Sequence, residues 1–218
     1  KSLRKENVKH VFGLIGSATM ELFDALYENK KIKFIGVRDE KTGTHIADGY
    51  ARASGDVGIM IAGQNGPGAT NLITGVAQAS AAFSPVVTIA GAISSEHIGK
   101  NSFQDVNQQA LFEPITKKTW SVRETKDIPQ VLDDAFNLAL KPRCGPAHIN
   151  LHRDILSKKE DFKGLEKYNE LKKVELPTAS EKELLKALKI LNNSPNRVII
   201  AGGGIKNNKG HLEVMKLA

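Results

Sequence analysis

Val57-Gly58-Ile59-Met60-Ile61-Ala62 runs directly into Gly63-Gln64-Asn65-Gly66-Pro67-Gly68-Ala69-Thr70-Asn71. The first six residues form an apolar run of strand length, and the glycines with Pro67 are turn formers ahead of a helical pattern from about Ala69 to Ala82. Strand, tight turn and helix follow one another. Upstream, Ile32 to Val37 is a second apolar strand, and it runs into Glu40 just before a helix expected from near Thr42 to about Ser54. Taken as adjacent strands of one sheet, the two segments place a carboxylate and a glycine-rich turn at the same edge. In an open parallel sheet that edge is where ligands bind.

The alternation continues on both sides. Val11 to Ile15 reads as a strand and Ala18 to Tyr27 as a helix with Met20, Leu22, Phe23 and Leu26 on its apolar face. Beyond the turn come a strand at Val86 to Ala90, a helix at Gln108 to Phe112, a strand at Thr119 to Val122, a helix at Ile128 to Leu140 and a strand at Ala147 to Leu151. This pattern predicts an α/β fold, a doubly wound, mostly parallel sheet with helices on both faces. One domain is expected over 1–156. The lysine- and glutamate-rich stretch 157–177 has no apolar period and reads as a linker. Residues 178–218 then read as the start of a second α/β domain. Ser180 and Glu183 make a capping box for a helix, and Val198-Ile199-Ile200-Ala201 is a predicted strand ending in three glycines. The chain starts without methionine and stops inside a helical pattern, so a fragment of a longer protein is expected.

The charge of +7 over 218 residues raises nucleic-acid binding as a function class. Its distribution argues against that class, because much of the excess lies between Lys158 and Lys173, interleaved with acids. One cysteine, Cys144, excludes a disulfide framework and a multi-cysteine metal site. No window approaches the roughly 20 apolar residues of a membrane span, and no signal-peptide pattern follows the basic N-terminus. A cytoplasmic protein with neither nucleic-acid nor membrane partners is expected.

The turn after Ala62 looks like a phosphate loop, but its spacing excludes the familiar ones. A dinucleotide fingerprint needs a third glycine at the place of Asn71 and an acid about twenty residues later, where Gly91-Ala92-Ile93 stands; a P-loop needs Gly-Lys-Ser/Thr. His10, His45, His97, His148 and His152 show no metal-ligating spacing and no pairing with a nucleophile elbow, so they read as structural. Glu40 has two readings. It is either a surface acid stabilised by a helix dipole, or a group that shares a hydrogen bond with a heterocycle nitrogen resting on flat glycine backbone.

His10-Val11-Phe12-Gly13, Asp48-Gly49-Tyr50-Ala51-Arg52, Gly66-Pro67-Gly68-Ala69-Thr70-Asn71, Phe103-Gln104-Asp105 and Gly145-Pro146-Ala147 leading to Arg153-Asp154 occur in one order over about two thirds of the chain. In this order and spacing, Val8 to Asp154 resembles the N-terminal pyrimidine-binding domain of thiamine-diphosphate enzymes of the acetohydroxyacid synthase group. Within that group, Ile15-Gly16-Ser17-Ala18, Met20, His45 to Asp48 and Gln64 to Gly68 look like the sulfoacetaldehyde acetyltransferases, while Ala69 to Gly75 and Val122-Arg123 read more like acetolactate synthases.

The resemblance implies a transferase forming acetyl phosphate from sulfoacetaldehyde as first expectation. Acetolactate synthase, and a stand-alone subunit of a two-chain 2-oxoacid decarboxylase, are the alternatives. Glu40 is implied as the catalytic residue, hydrogen-bonding N1′ of the aminopyrimidine so that the 4′ nitrogen can take a proton from the thiazolium carbon. By the same resemblance Asn65, Gly66, Pro67, Gly68 and Asn71 wall the pyrimidine, Ile15, Gly16 and Ser17 form a neighbouring loop, and Gln104 with Phe103 faces the reacting end. The family's His-Glu-Gln is here Asp39-Glu40-Lys41. Mg²⁺ is implied on a Gly-Asp-Gly motif that this chain lacks, in a domain supplied by a partner subunit, so a homodimer or homotetramer is expected. Some members carry FAD; nothing in this chain points to it.

Overall fold

A computed structural model describes residues 1–159, 178–205 and 210–218. Contacts divide the chain into two compact units, Lys1–Val174 and Glu175–Ala218. Most of the stretch read as a linker, from residue 160 on, lies outside the described residues.

The first unit is built on six strands: β1 (His10–Gly13), β2 (Lys33–Gly36), β3 (Gly58–Ile61), β4 (Val86–Ala92), β5 (Thr119–Val122) and β6 (Ala147–His152). Their order is β2-β1-β3-β4-β6-β5 and every pairing is parallel. One expectation is corrected here. β2 and β3 are not adjacent, because β1 lies between them; the helix joining them carries the chain past β1 before β3 pairs on its far side. β1 and β3 flank the point where strand order reverses, the position at which open α/β sheets hold ligands.

Period-two patterning sorts the strands between two cores. Val11, Ile59, Ile61, Val87, Ile89, Ile149 and Leu151 pack with Phe23 and Leu26 of α2 (Met20–Glu28) and with Leu132, Phe136 and Ala139 of α6 (Ile128–Leu140). Phe12, Met60, Ala62 and Ala90 turn the other way. They meet Ala47 and Ala51 of α3 (Glu40–Ser54), Leu72, Val76 and Ala79 of α4 (Pro67–Ala81), and Phe112 of α5 (Gln108–Phe112). Short helices at Ser2–Lys5 and Arg153–Ser157 complete the unit as α1 and α7. Asp48 sits buried on α3; burial pushes its carboxyl up, and the hydrogen bonds and charge of Arg52 one turn on outweigh that, leaving it below the usual range. This motif is structural, an i,i+4 ion pair.

In the second unit, α8 (Glu181–Asn193) opens with the expected capping box: the Glu183 N–H donates to Ser180 Oγ, and Glu183 accepts from the Ser180 N–H at 2.9 Å. α9 spans Gly210–Leu217. The strand expected at Val198 to Ala201 is absent. The described residues of this unit include no other strand, and a single extended segment has no ladder to satisfy its N–H and C=O groups.

Candidate functional site

The site is assembled from loops at the carboxyl ends of β1, β2, β3 and β4. After β2, helix α3 begins at Glu40 itself, two residues earlier than the apolar pattern suggested. Asp39 is the N-cap: its Oδ1 accepts the Thr42 N–H at 2.8 Å, and that bond holds the Asp39 carboxyl below its ordinary range. The acid beside Glu40 is therefore committed to the helix end. Glu40, in the first turn, is only 4 % exposed. Its Oε2 accepts from Asn71 Nδ2 at 3.1 Å, and a Cβ built on Gly68 would stand 3.0 Å from its Oε1. So although β1 separates the parent strands, α3 and α4 pack side by side and bring the carboxylate to the glycine turn.

Gly66 makes the turn. Its φ of +57° favours glycine, and a Cβ there would sit 2.6 Å from the Gln104 carbonyl. Pro67 follows at the first position of α4, where its missing N–H leaves no helical bond unmade. The loop after β1 is stitched to this turn: a Cβ on Gly16 would overlap Gly63, the Ala18 N–H donates to Gly63 O, and Ser17 Oγ donates to Gln64 Oε1 at 2.9 Å. Ile15 remains 58 % exposed beside them. The loop after β4 closes the arrangement. Gln64 Nε2 donates to Gln104 Oε1 at 2.7 Å and Asn65 Nδ2 to Gln104 O at 3.1 Å. All ten residues singled out from sequence thus lie at one edge of the sheet, in its loops or in the first turns of α3 and α4. Phe103, by contrast, is 85 % exposed and belongs to neither core cluster.

Sequence reasoning missed Gln64 and Gln108 as individual residues. Gln108 is buried on α5; its Oε1 accepts the Gly66 N–H at 3.1 Å, and its Nε2 donates to Gly91 O and to Asn150 Oδ1. Behind it, His148 Nε2 meets Asn150 Oδ1 at 2.9 Å and Nδ1 meets Thr88 Oγ1 at 2.8 Å, with Phe112 stacked on the imidazole. Burial lowers the His148 pKa to about 3, so the ring is neutral. The signal was a polar residue on each alternate position of β6, with no local pattern naming its partners.

With this geometry in place, the comparisons are decisive for family. The family model described as "Thiamine pyrophosphate enzyme, N-terminal TPP binding domain" matches residues 1–111, and the chain belongs to that family. It is 38% identical over its whole length to a "Probable acetolactate synthase large subunit" of Methanocaldococcus jannaschii, covering 37% of it. It is 35% identical to the acetolactate synthase large subunit of Lactococcus lactis (99% of this chain, 37% of that one). Against the acetolactate synthase isozyme 3 large subunit of Escherichia coli the identity is 36%, over 94% of this chain and 36% of that one. The chain therefore spans less than two fifths of the length of these relatives. A thiamine diphosphate-dependent 4-hydroxybenzoylformate decarboxylase of Rhodococcus jostii RHA1 superposes with a TM-score of 0.87 at 20% identity, over 99% of this chain and 40% of that one, and shares the fold.

These relatives shift the expectation of a sulfoacetaldehyde acetyltransferase toward its alternative. Gln64, one of the residues behind that expectation, bonds Ser17 and Gln104 and so closes the turn. The residues present also fit the pyrimidine end of thiamine diphosphate, since a buried carboxylate with one oxygen fixed by Asn71 borders backbone kept flat by Gly68. Among the described residues, no group of three or more His, Cys, Asp or Glu is placed to hold a metal ion, and no helix is long and apolar enough to cross a membrane.

Proposed function

We propose that this chain is the N-terminal, pyrimidine-binding part of a thiamine diphosphate-dependent acetolactate synthase large subunit, which joins two pyruvates or pyruvate with 2-oxobutyrate. The observation that carries the reading is the buried Glu40 carboxylate, one oxygen held by Asn71 and the other bordering Gly68, in a chain 38% identical throughout to an acetolactate synthase relative.

In this reading Glu40, Asn65, Gly66, Pro67, Gly68 and Asn71 hold the pyrimidine, with Ile15, Gly16, Ser17 and Gln104 around it. Thiamine diphosphate, when bound, supplies an electron sink for the carbanion chemistry of 2-oxo acids. The chain's own residues supply position and a proton. Asn71 occupies Oε2, which leaves Glu40 Oε1 to exchange a proton with a ring nitrogen. A side chain at 68 would stand against that carboxyl, where a flat ring has to lie, and one at 66 would collide with Gln104. Gln104, tied to both Gln64 and Asn65, fixes the wall where substrate arrives. Mg²⁺ and the diphosphate fall to residues outside this chain, so the working site forms in a cytoplasmic homodimer or larger oligomer. The domain spans 1–156, a linker 157–177, and 178–218 begins the next domain. That second unit favours the synthase over a stand-alone pyrimidine-domain subunit.

The test is an assay of the full-length protein with thiamine diphosphate, Mg²⁺ and pyruvate. Acetolactate is the expected product; acetyl phosphate made from sulfoacetaldehyde and phosphate, with none from pyruvate, would overturn the reading. Glu40→Gln should lower kcat by at least a hundredfold, the scale of a lost acid–base group. Near-normal turnover in that variant rejects the assignment of Glu40.

A further inference from the structure

A cavity of about 390 Å³ opens beside the site at the carboxyl ends of β4, β5 and β6, with Gln104 as the shared wall. Its lining mixes apolar residues, Ile93, Ile98 and Val106 among them, with polar groups that include unpaired donors. Gln108 fixes the pattern, because a backbone N–H can only donate and a backbone carbonyl only accept: Gly66 N–H identifies its Oε1, and Gly91 O identifies its Nε2. The atom of Asn150 facing Gln108 Nε2 at 2.6 Å is then an oxygen. His148 Nε2 faces the same oxygen. Asn150 Nδ2 is thereby directed away from that network, and it has no protein partner among the described residues, although Asn150 lines the cavity and is only 2 % exposed. Asn107 repeats the arrangement at the rim: its Oδ1 accepts from the Ala110 N–H, leaving its amide nitrogen.

Arg123 adds a guanidinium to this set. It lines the cavity, is exposed, and makes no hydrogen bond or ion pair among the described residues. Ser121, the neighbouring hydroxyl, directs its proton inward to His152 Nε2 at 2.9 Å, since His152 Nδ1–H is spent on Ile93 O at 2.7 Å. Asp105 lies at the same rim, exposed as Arg123 is, so solvent screens both charges, and among the described residues the buried side of the cavity carries no acid. An amide nitrogen without a protein acceptor, on a side chain otherwise buried but open to the cavity, and a free guanidinium call for a ligand rich in acceptors and negative in charge, and a planar carboxylate matches both.

We propose that this cavity binds the carboxylate of a small organic acid, with Asn150 Nδ2 and Arg123 as its donors. The identity of the acid rests on the proposed function: a 2-oxo acid, held one wall away from Glu40's cradle and passed toward Gln104. The binding itself does not depend on that reading.

The experiment uses the full-length protein without thiamine diphosphate or Mg²⁺, titrated with pyruvate and, separately, with acetone, which keeps the carbonyl and lacks the carboxylate. Saturation-transfer NMR reads binding. Pyruvate should bind and acetone should not, and Arg123→Gln should weaken pyruvate about tenfold, the effect of one charge-assisted bond. Asn150→Ser should weaken it comparably; if that variant unfolds, the Arg123 variant decides alone. Equal binding of acetone and pyruvate, or unchanged pyruvate binding in Arg123→Gln, overturns the proposal. Pyruvate binding lost in Arg123→Gln, in a protein that forms no acetolactate, supports the cavity and rejects only the proposed function.

Discussion

The two faces of β6 are equally buried and chemically opposite. Ala147, Ile149 and Leu151 enter the core with α2 and α6, whereas His148, Asn150 and His152 point to the side covered by α5. On the first face an apolar group of similar volume can replace another at small cost. On the second, Thr88, His148, the Asn150 carbonyl oxygen and Gln108 are joined in a single arrangement of donors and acceptors. The difference teaches what each face is for. Apolar burial supplies stability without specifying position to a few tenths of an ångström, while the polar chain ends at the Gly66 N–H and so fixes the turn that borders Glu40.

The sharpest break of this comparison is a large cavity on the apolar face. Phe136→Ala, at a fully buried position, should destabilise by about 3–5 kcal/mol, measured by urea unfolding. Thiamine diphosphate affinity of the full-length protein should stay unchanged well below the midpoint. A selective loss of cofactor affinity would mean that the apolar face also sets the site.

The converse substitution is Gln108→Leu. It keeps volume and leaves the Gly66 N–H and Gly91 O without their buried partners. A cost of about 2–3 kcal/mol is expected, smaller than for Phe136→Ala, yet thiamine diphosphate should bind at least tenfold more weakly because the 66–68 turn loses its anchor. Normal affinity in this variant would remove the positional role from the polar face.

The apolar face was readable from the sequence, and the polar face was not. Val57 to Ala62 is a run of apolar residues and glycine, and Val86 to Ala90 is apolar but for the β-branched Thr88, so their strands fell within a residue or two of the observed β3 and β4. Glu40 and the Gly66–Gly68 turn were readable because strand ends and turn formers are local signals. Their meeting relied on a helix pair, α3 against α4, and not on the strand adjacency first expected, since no local pattern reports that β1 inserts between β2 and β3. The start of α3 shifted because Asp39 is the better cap than any residue nearer Thr42. Ala147-His148-Ile149-Asn150-Leu151-His152 alternates like a strand with one wet face. Only the tertiary fold shows α5 lying over that face and Phe112 stacked on His148.

His148 gives the smallest and most specific test. Its folded pKa, lowered by burial to about 3, lies below the unfolded value of about 6.5. The unfolded chain therefore binds a proton that the folded one refuses, and the sign follows: stability is fully present above pH 6.5 and declines as pH falls from there toward 3. Between pH 7 and pH 5 the loss attributable to this group is about 2 kcal/mol, a figure set by the unfolded pKa as long as the folded one stays below about 4. Unfolding free energies measured at the two pH values, for the wild type and for His148→Gln, isolate it. The variant should be less stable at pH 7, because Thr88 and Phe112 lose their partner, while showing about 2 kcal/mol less pH dependence. An undiminished pH dependence would mean that the imidazole takes up its proton in the folded state. His148 would then lose its acceptor for Thr88, and the single donor–acceptor arrangement that distinguishes this face of β6 would no longer hold.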